Sequence, residues 1–182
     1  MGLFDFFKKD ETPGYDPANI KITDLDKGFI FEYDLKNWVV EEVYQYDWGS
    51  NYKTKEFKVN SGDEIMFLSV DDDDEIFITI SEKIKPRVLK DDLPEYINEN
   101  DKPPKKLEYK NIKFLYDEES YGYFKQLHTN AEEDAKVISW DYFDDDDKYI
   151  LNIEQWGDED FEASFGKVVK EFEISNILPN AN

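Results

Sequence analysis

The chain has no cysteine, a single histidine and, among its 22 basic residues, a single arginine, Arg87. Without cysteine there is neither a disulfide framework nor a thiolate metal site. His128 alone cannot build the usual zinc site, which takes several His or Cys ligands, and it leaves at most one histidine general base. Glycine is scarce, 8 in 182 residues, and none is spaced for a phosphate loop or a dinucleotide fingerprint. No segment approaches the ~18 consecutive apolar residues of a membrane span. The apolar run between Met1 and Lys9 is too short, and its charges fall in the wrong order, for a secretory signal, so the expected location is cytoplasmic.

What is abundant is acid and aromatic surface. The 44 acids outnumber the bases two to one, for a formal net charge of −22. Affinity for duplex nucleic acid comes largely from Lys and Arg neutralising phosphates, so no nucleic-acid partner is expected. Salt adaptation would also acidify a surface, but a base set that is almost entirely lysine argues against it. The charge favours cationic partners. The 14 Phe, 12 Tyr and 4 Trp, with many Ile and Val, can fill a core and favour strands over helices.

Period-two alternation at Phe29, Phe31 and Tyr33, at Phe57 and Val59, and at Ile76, Ile78 and Ile80 reads as half-buried strands. Trp38–Tyr46 is a β-rich run with mixed faces. Turn chemistry recurs at Ser61-Gly62-Asp63, Lys110-Asn111, Gly157-Asp158 and Gly166-Lys167. These signals predict a mostly β fold: an antiparallel sandwich or partly open barrel built from two similar halves, about 20–82 and 107–178. A Pro-rich connection, 83–106, joins them and holds one short helix around Asp92–Glu99. Residues 1–19 form an arm whose Leu3, Phe4 and Phe7 share one face of a short N-terminal amphipathic helix, with weak peripheral membrane contact through those side chains as one possible use.

The two halves show an internal likeness. Residues 57–70 align without gaps on 140–153, matching Phe57 with Trp140, Val59 with Tyr142, Leu68 with Leu151 and Val70 with Ile153. Upstream, Glu41-Glu42-x-Tyr44-x-Tyr46 matches Glu118-Glu119-x-Tyr121-x-Tyr123. A duplicated unit accounts for both.

The pattern Trp38-Val39-Val40-Glu41-Glu42, then Tyr46-Asp47-Trp48, Glu56-Phe57-Lys58-Val59 and Leu68-Ser69-Val70, resembles domain-of-unknown-function family 4178. Leu151-Asn152-Ile153-Glu154 and Gly166 look like its closing signatures, and the likeness spans roughly residues 25–175. The resemblance implies a fold and little chemistry, since the family has no established activity. Its members' gene neighbourhoods imply a lead towards membrane stress and polyamine synthesis.

The runs Asp71–Asp74 and Asp144–Asp147 lack the spacing of a calcium loop and read as solvated turns. His128 lies in a polar stretch and reads as a loop residue. Trp38, Tyr44, Tyr46, Trp48, Trp140 and Trp156, with Glu154 beside the last, are the candidate ligand-binding residues, because aromatic faces and nearby carboxylates attract ammonium groups. The leading expectation is a non-enzymatic binding or accessory module without cofactor or metal, serving an unknown protein or a small cationic ligand. A receptor for a small cation such as a polyamine is the alternative, and a carboxylate-based hydrolase the third reading.

Overall fold

A computed structural model describes residues 15–129 and 134–179. The arm and its helix, with Leu3, Phe4 and Phe7, lie outside the described residues. Eleven strands carry the chain: β1 Ile30–Tyr33, β2 Lys36–Gly49, β3 Tyr52–Asn60, β4 Ile65–Asp71, β5 Phe77–Ile84, β6 Lys106–Tyr109, β7 Ile112–Gln126, β8 Ala135–Phe143, β9 Tyr149–Gln155, β10 Phe161–Val169 and β11 Ser175–Leu178. The one α-helix among the described residues, α1, spans Leu93–Asn100 in the connection. Pro94 suits its first turn, Leu93 and Ile97 bury one face, and Asp101 ends it in the left-handed conformation. No helix among the described residues is long and apolar enough to cross a membrane.

The strands form one antiparallel sheet in the order β11-β1-β2-β3-β4-β5-β10-β9-β8-β7-β6, not the two sheets of a sandwich. An additional pairing of β2 with β7, Tyr44–Asp47 against Tyr123–Gln126, brings the sheet partly round into a ring of eight strands. Strands β1 to β5 and β6 to β10 follow one another in the same order on the two sides. Each side opens with a two-residue hairpin, Asp34-Leu35 and Lys110-Asn111, all four residues at positive φ. Each then carries a bulge in its long strand, at Glu41 and at Asp117.

The bulges and the unequal hairpins, 61–64 against 144–149, correct two alignments read from sequence. The bulge at Glu41 corresponds to Asp117 rather than Glu118, one residue away from the sequence match. A one-residue slip turns every side chain to the other face. Tyr46 is accordingly 5 % exposed, whereas Tyr121 and Tyr123 stand on the outside at 61 % and 50 %. The gapless match of 57–70 holds through β3 and β8 but slips by two afterwards: Phe57 pairs with Leu68, and Trp140 pairs with Ile153 rather than Leu151. The expected turn at Gly166-Lys167 does not exist either. Gly166 lies inside β10, where an added Cβ would come within 2.5 Å of the Ile80 carbonyl, so glycine here permits close backbone approach rather than a turn.

The two faces of the ring strands separate by residue parity. On the outer face, Phe57, Val59, Leu68, Val70, Ile78 and Ile80 form one apolar core with Trp38, Val40, Val43 and the β1 residues Phe31 and Tyr33. Trp140, Tyr142, Leu151, Ile153 and Ala163 form a second core with Leu107, Phe114 and the α1 residues Leu93 and Ile97. Both cores therefore flank the ring, and the alternate residues point inward.

Candidate functional site

The inward residues are polar. They alternate with the core positions: Thr54 and Glu56 of β3, Ser69 of β4, Thr79 and Ser81 of β5, Ser164 of β10, Asn152 and Glu154 of β9, and Ser139 and Asp141 of β8. Together they line a cavity of about 170 Å³, joined by Tyr46, Trp48, Tyr52, Asp71, Phe77, Glu118, Ser120, Phe143 and Ile150. Five of the lining side chains are carboxylic acids, Glu56, Asp71, Glu118, Asp141 and Glu154, and none is a base.

Through Tyr46 and Glu154 the cavity meets an ion cluster whose other members, Lys83 and Glu162, reach solvent. The Tyr46 hydroxyl donates to Glu154 Oε1 at 3.0 Å. Lys83 Nζ lies 3.2 Å from Glu154 Oε2 and 2.9 Å from Glu162 Oε2, and 5.1 Å from the centre of the Phe67 ring. The Lys83 side chain is 31 % exposed while that of Glu154 is 7 % exposed, so the lysine reaches inward from the edge of the cluster. Burial alone would lower the Lys83 ammonium; Glu154, Glu56 and Glu162 outweigh it and hold the group above its ordinary value. Burial and then its carboxylate neighbours push the Tyr46 phenol up.

Two acids stand apart from this neutralisation. Burial pushes the Glu56 carboxyl up to about 7; Lys83 opposes the rise, and Glu154 and Glu162 add to it. Burial likewise pushes Asp141 up to about 7; Asn152 opposes, and Glu118, Glu154 and Asp117 add. Both sit deep behind the strands yet keep part of their surface open to the cavity. Asn152 Nδ2 donates to Asp141 Oδ1 and to Ser139 Oγ, both at 2.7 Å, which fixes the amide between β8 and β9.

Five of the seven sequence candidates come together here. Tyr46 stacks on Trp48 at 5.3 Å, and Tyr44, Tyr46 and Trp156 all contact Phe124 of β7, the last at 4.9 Å edge to face. Glu154 joins them through Tyr46. The Trp156 indole N–H is buried without a hydrogen-bond partner. Gly122 has room for this wall: a Cβ there would come within 2.6 Å of the Trp48 ring. Trp38 and Trp140 do not take part. Their parity places them in the two outer cores, where their indoles donate to the Tyr33 carbonyl at 3.1 Å and to Glu119 Oε2 at 2.7 Å.

At the opposite end of the same face, Glu42 gathers Lys58 Nζ at 2.6 Å, the Tyr44 hydroxyl at 2.9 Å and Gln126 Nε2 at 2.6 Å, tying β2, β3 and β7 together. Hydrogen bonds from Lys58 and Tyr44 hold Glu42 below the usual carboxylate range. The aspartate runs are turns with internal work to do. Asp144 Oδ1 accepts the Lys148 and Tyr149 amides, both at 2.7 Å, and Asp71 accepts the Asp73 amide and the Tyr52 hydroxyl. Asp72–Asp74 and Asp145–Asp147 are exposed, and no group of acids or histidine among the described residues is arranged to hold a metal ion. His128 is exposed and contacts Asp26 at 2.6 Å.

Sequence reading missed Glu56, Lys83, Asp141, Asn152, Glu162 and Phe124. The available signal was parity. Each is the polar or unmatched partner in an alternating strand, the position ordinarily assigned to solvent.

An uncharacterized protein of Aquifex aeolicus (strain VF5) is 31 % identical over 175 residues, covering 96 % of this chain and 94 % of the relative. No solved structure matches the chain. The family model described as a domain of unknown function, DUF4178, matches residues 26–171, which takes in every strand of the ring, and the chain belongs to that family.

Proposed function

We propose that the chain is a non-enzymatic binding module whose ring holds a small organic cation. One observation carries the reading: a carboxylate of the cavity wall, Glu154, already seats an ammonium group. Lys83 Nζ rests between two glutamates and over a phenyl ring, and beyond it the cavity wall continues with carboxylates and no further base. A second ammonium would meet the same chemistry that holds the first. The aromatic wall of Tyr46 and Trp48 adds cation–π attraction, ~0.5–2 kcal/mol for each well-placed ring. At about 170 Å³ the cavity is smaller than the ~300–1,000 Å³ typical of drug-sized ligands, which favours a slender amine such as a polyamine.

The same reading takes the ring as two related halves. Its support is the shared strand order, the paired positive-φ hairpins and a bulge six residues after each (41 − 35 and 117 − 111).

Glu56, pushed towards neutrality close to Glu154, also offers the acid and base that a carboxylate-based hydrolase employs. The narrow cavity, with the Lys83 ammonium already paired to Glu154 in its wall, favours binding over hydrolysis. Calorimetry with spermidine at pH 8 tests the proposal. A saturable single-site isotherm that weakens with added salt supports it. Absence of heat with spermidine and with n-butylamine sinks it.

A further inference from the structure

We propose that the cavity exchanges protons for its cation: Glu56 and Asp141 are protonated while the ring is empty and release their protons as an organic ammonium enters. This rests on the binding reading above. The geometry makes the case by counting charges. Five carboxylic acids face the cavity, and the one ammonium that reaches them, Lys83, is already shared between Glu154 and Glu162. An ionised carboxylate removed from water without a partner costs several kcal/mol, so such a group takes a proton instead.

The surroundings of each acid agree. Glu56 is faced from β2 by the Tyr44 and Tyr46 phenols, from β5 by Lys83, from β9 by Glu154 and from β10 by Glu162. Asp141 is faced from β7 by Asp117 and Glu118 and from β9 by Asn152 and Glu154. Lys83 is the one base among these groups. Burial pushes both acids up to about 7, and an added positive charge beside them favours the ionised form.

The step balances simply. An ammonium R–NH3⁺ enters beside –COOH, the O–H bond breaks, the proton leaves to solvent, and R–NH3⁺ pairs with –COO⁻. One proton leaves per carboxyl engaged, so the net charge of the interior stays constant and no uncompensated charge is created in the ring.

The test is calorimetry of the full chain with spermidine at pH 6.5, run in one buffer of low and one of high ionisation enthalpy. The expected result is an observed heat that differs between buffers by the equivalent of at least one released proton. Below pH 7 the apparent affinity should rise up to about tenfold per pH unit for each proton released. Glu56→Gln and Asp141→Asn, each checked for folding by circular dichroism, should each remove part of the buffer dependence. Spermidine binding with the same heat in both buffers overturns the inference while leaving the binding reading intact. No binding by spermidine or by n-butylamine overturns both. Carbon-13 carboxyl titration of the ligand-free chain gives a separate check, with Glu56 and Asp141 titrating near neutrality as the expected result and titration below pH 5 as the contrary one.

Discussion

The two faces of the ring strands use the same backbone for opposite purposes. On β9, Leu151 and Ile153 are fully buried in an apolar core, while Asn152 and Glu154, one residue along, line a polar cavity. On β3, Phe57 and Val59 contrast with Glu56 in the same way. The apolar face supplies stability. The polar face carries groups that oppose it, such as buried acids pushed towards neutrality, and such groups concentrate where a ligand is handled. Alternation in a strand is usually taken as core against solvent; here it is core against interior.

The largest expected effect belongs to the apolar face. Phe57→Ala or Trp140→Ala should cost roughly 3–5 kcal/mol in urea unfolding, the usual range for a large aromatic removed from a core. Losses below 1 kcal/mol would mean that the two outer cores do not hold the ring.

The inward face should behave in the reverse sense. The folded Glu56 carboxyl lies near 7 against an ordinary 4.5, so the folded chain holds that proton more tightly than the unfolded chain. Stability from this group is fully present below about pH 4.5 and is lost as pH rises through 7, on the order of 3 kcal/mol by linkage. Glu56→Gln should therefore stabilise the protein at pH 8 by up to that amount, with the gain vanishing by pH 4.5. Paired melts of wild type and variant across this window measure it. A variant that is less stable at pH 8 would show that the charge is accommodated.

Tyr46→Phe sharpens the contrast at a smaller scale. It deletes the hydrogen bond to Glu154 and leaves the ring stacking, so a loss of about 1–2 kcal/mol at pH 7 is expected in urea melts. The smallest effects lie on the hairpin tips. Asp145→Asn with Asp146→Asn should stay within about 0.5 kcal/mol of wild type, because both side chains are exposed and hold nothing. Asp144→Ala, which strips two amides of their acceptor, should cost about 1 kcal/mol by thermal melting.

Much of the strand layout was legible because large apolar residues alternate so regularly, and the hairpin at Lys110-Asn111 announced itself through its turn residues. A partly open barrel was among the expected folds, but the register that closes the ring was not legible. Whether Tyr46 faces Phe124 depends on a bulge at Glu41, and a bulge is a backbone event that leaves no residue signature in Glu41-Glu42. The aromatic and Glu154 part of the candidate site was visible as residue types suited to ammonium. Trp38 and Trp140 were indistinguishable from it until parity was fixed by pairing. Lys83 and Asp141 were hidden more deeply, since nothing local separates an inward charge from a solvated one in a chain with 44 acids.

The most direct test of the central claim is nitrogen-15 NMR of the full chain titrated with spermidine at pH 8. The account predicts saturable shifts at Glu56, Ser69, Thr79, Ser139, Asn152 and Glu154, alternating along each strand with little change at Phe57, Ile78, Trp140 and Ile153. Shifts confined to Asp72–Asp74 and Asp145–Asp147, with the ring interior unmoved, would contradict it.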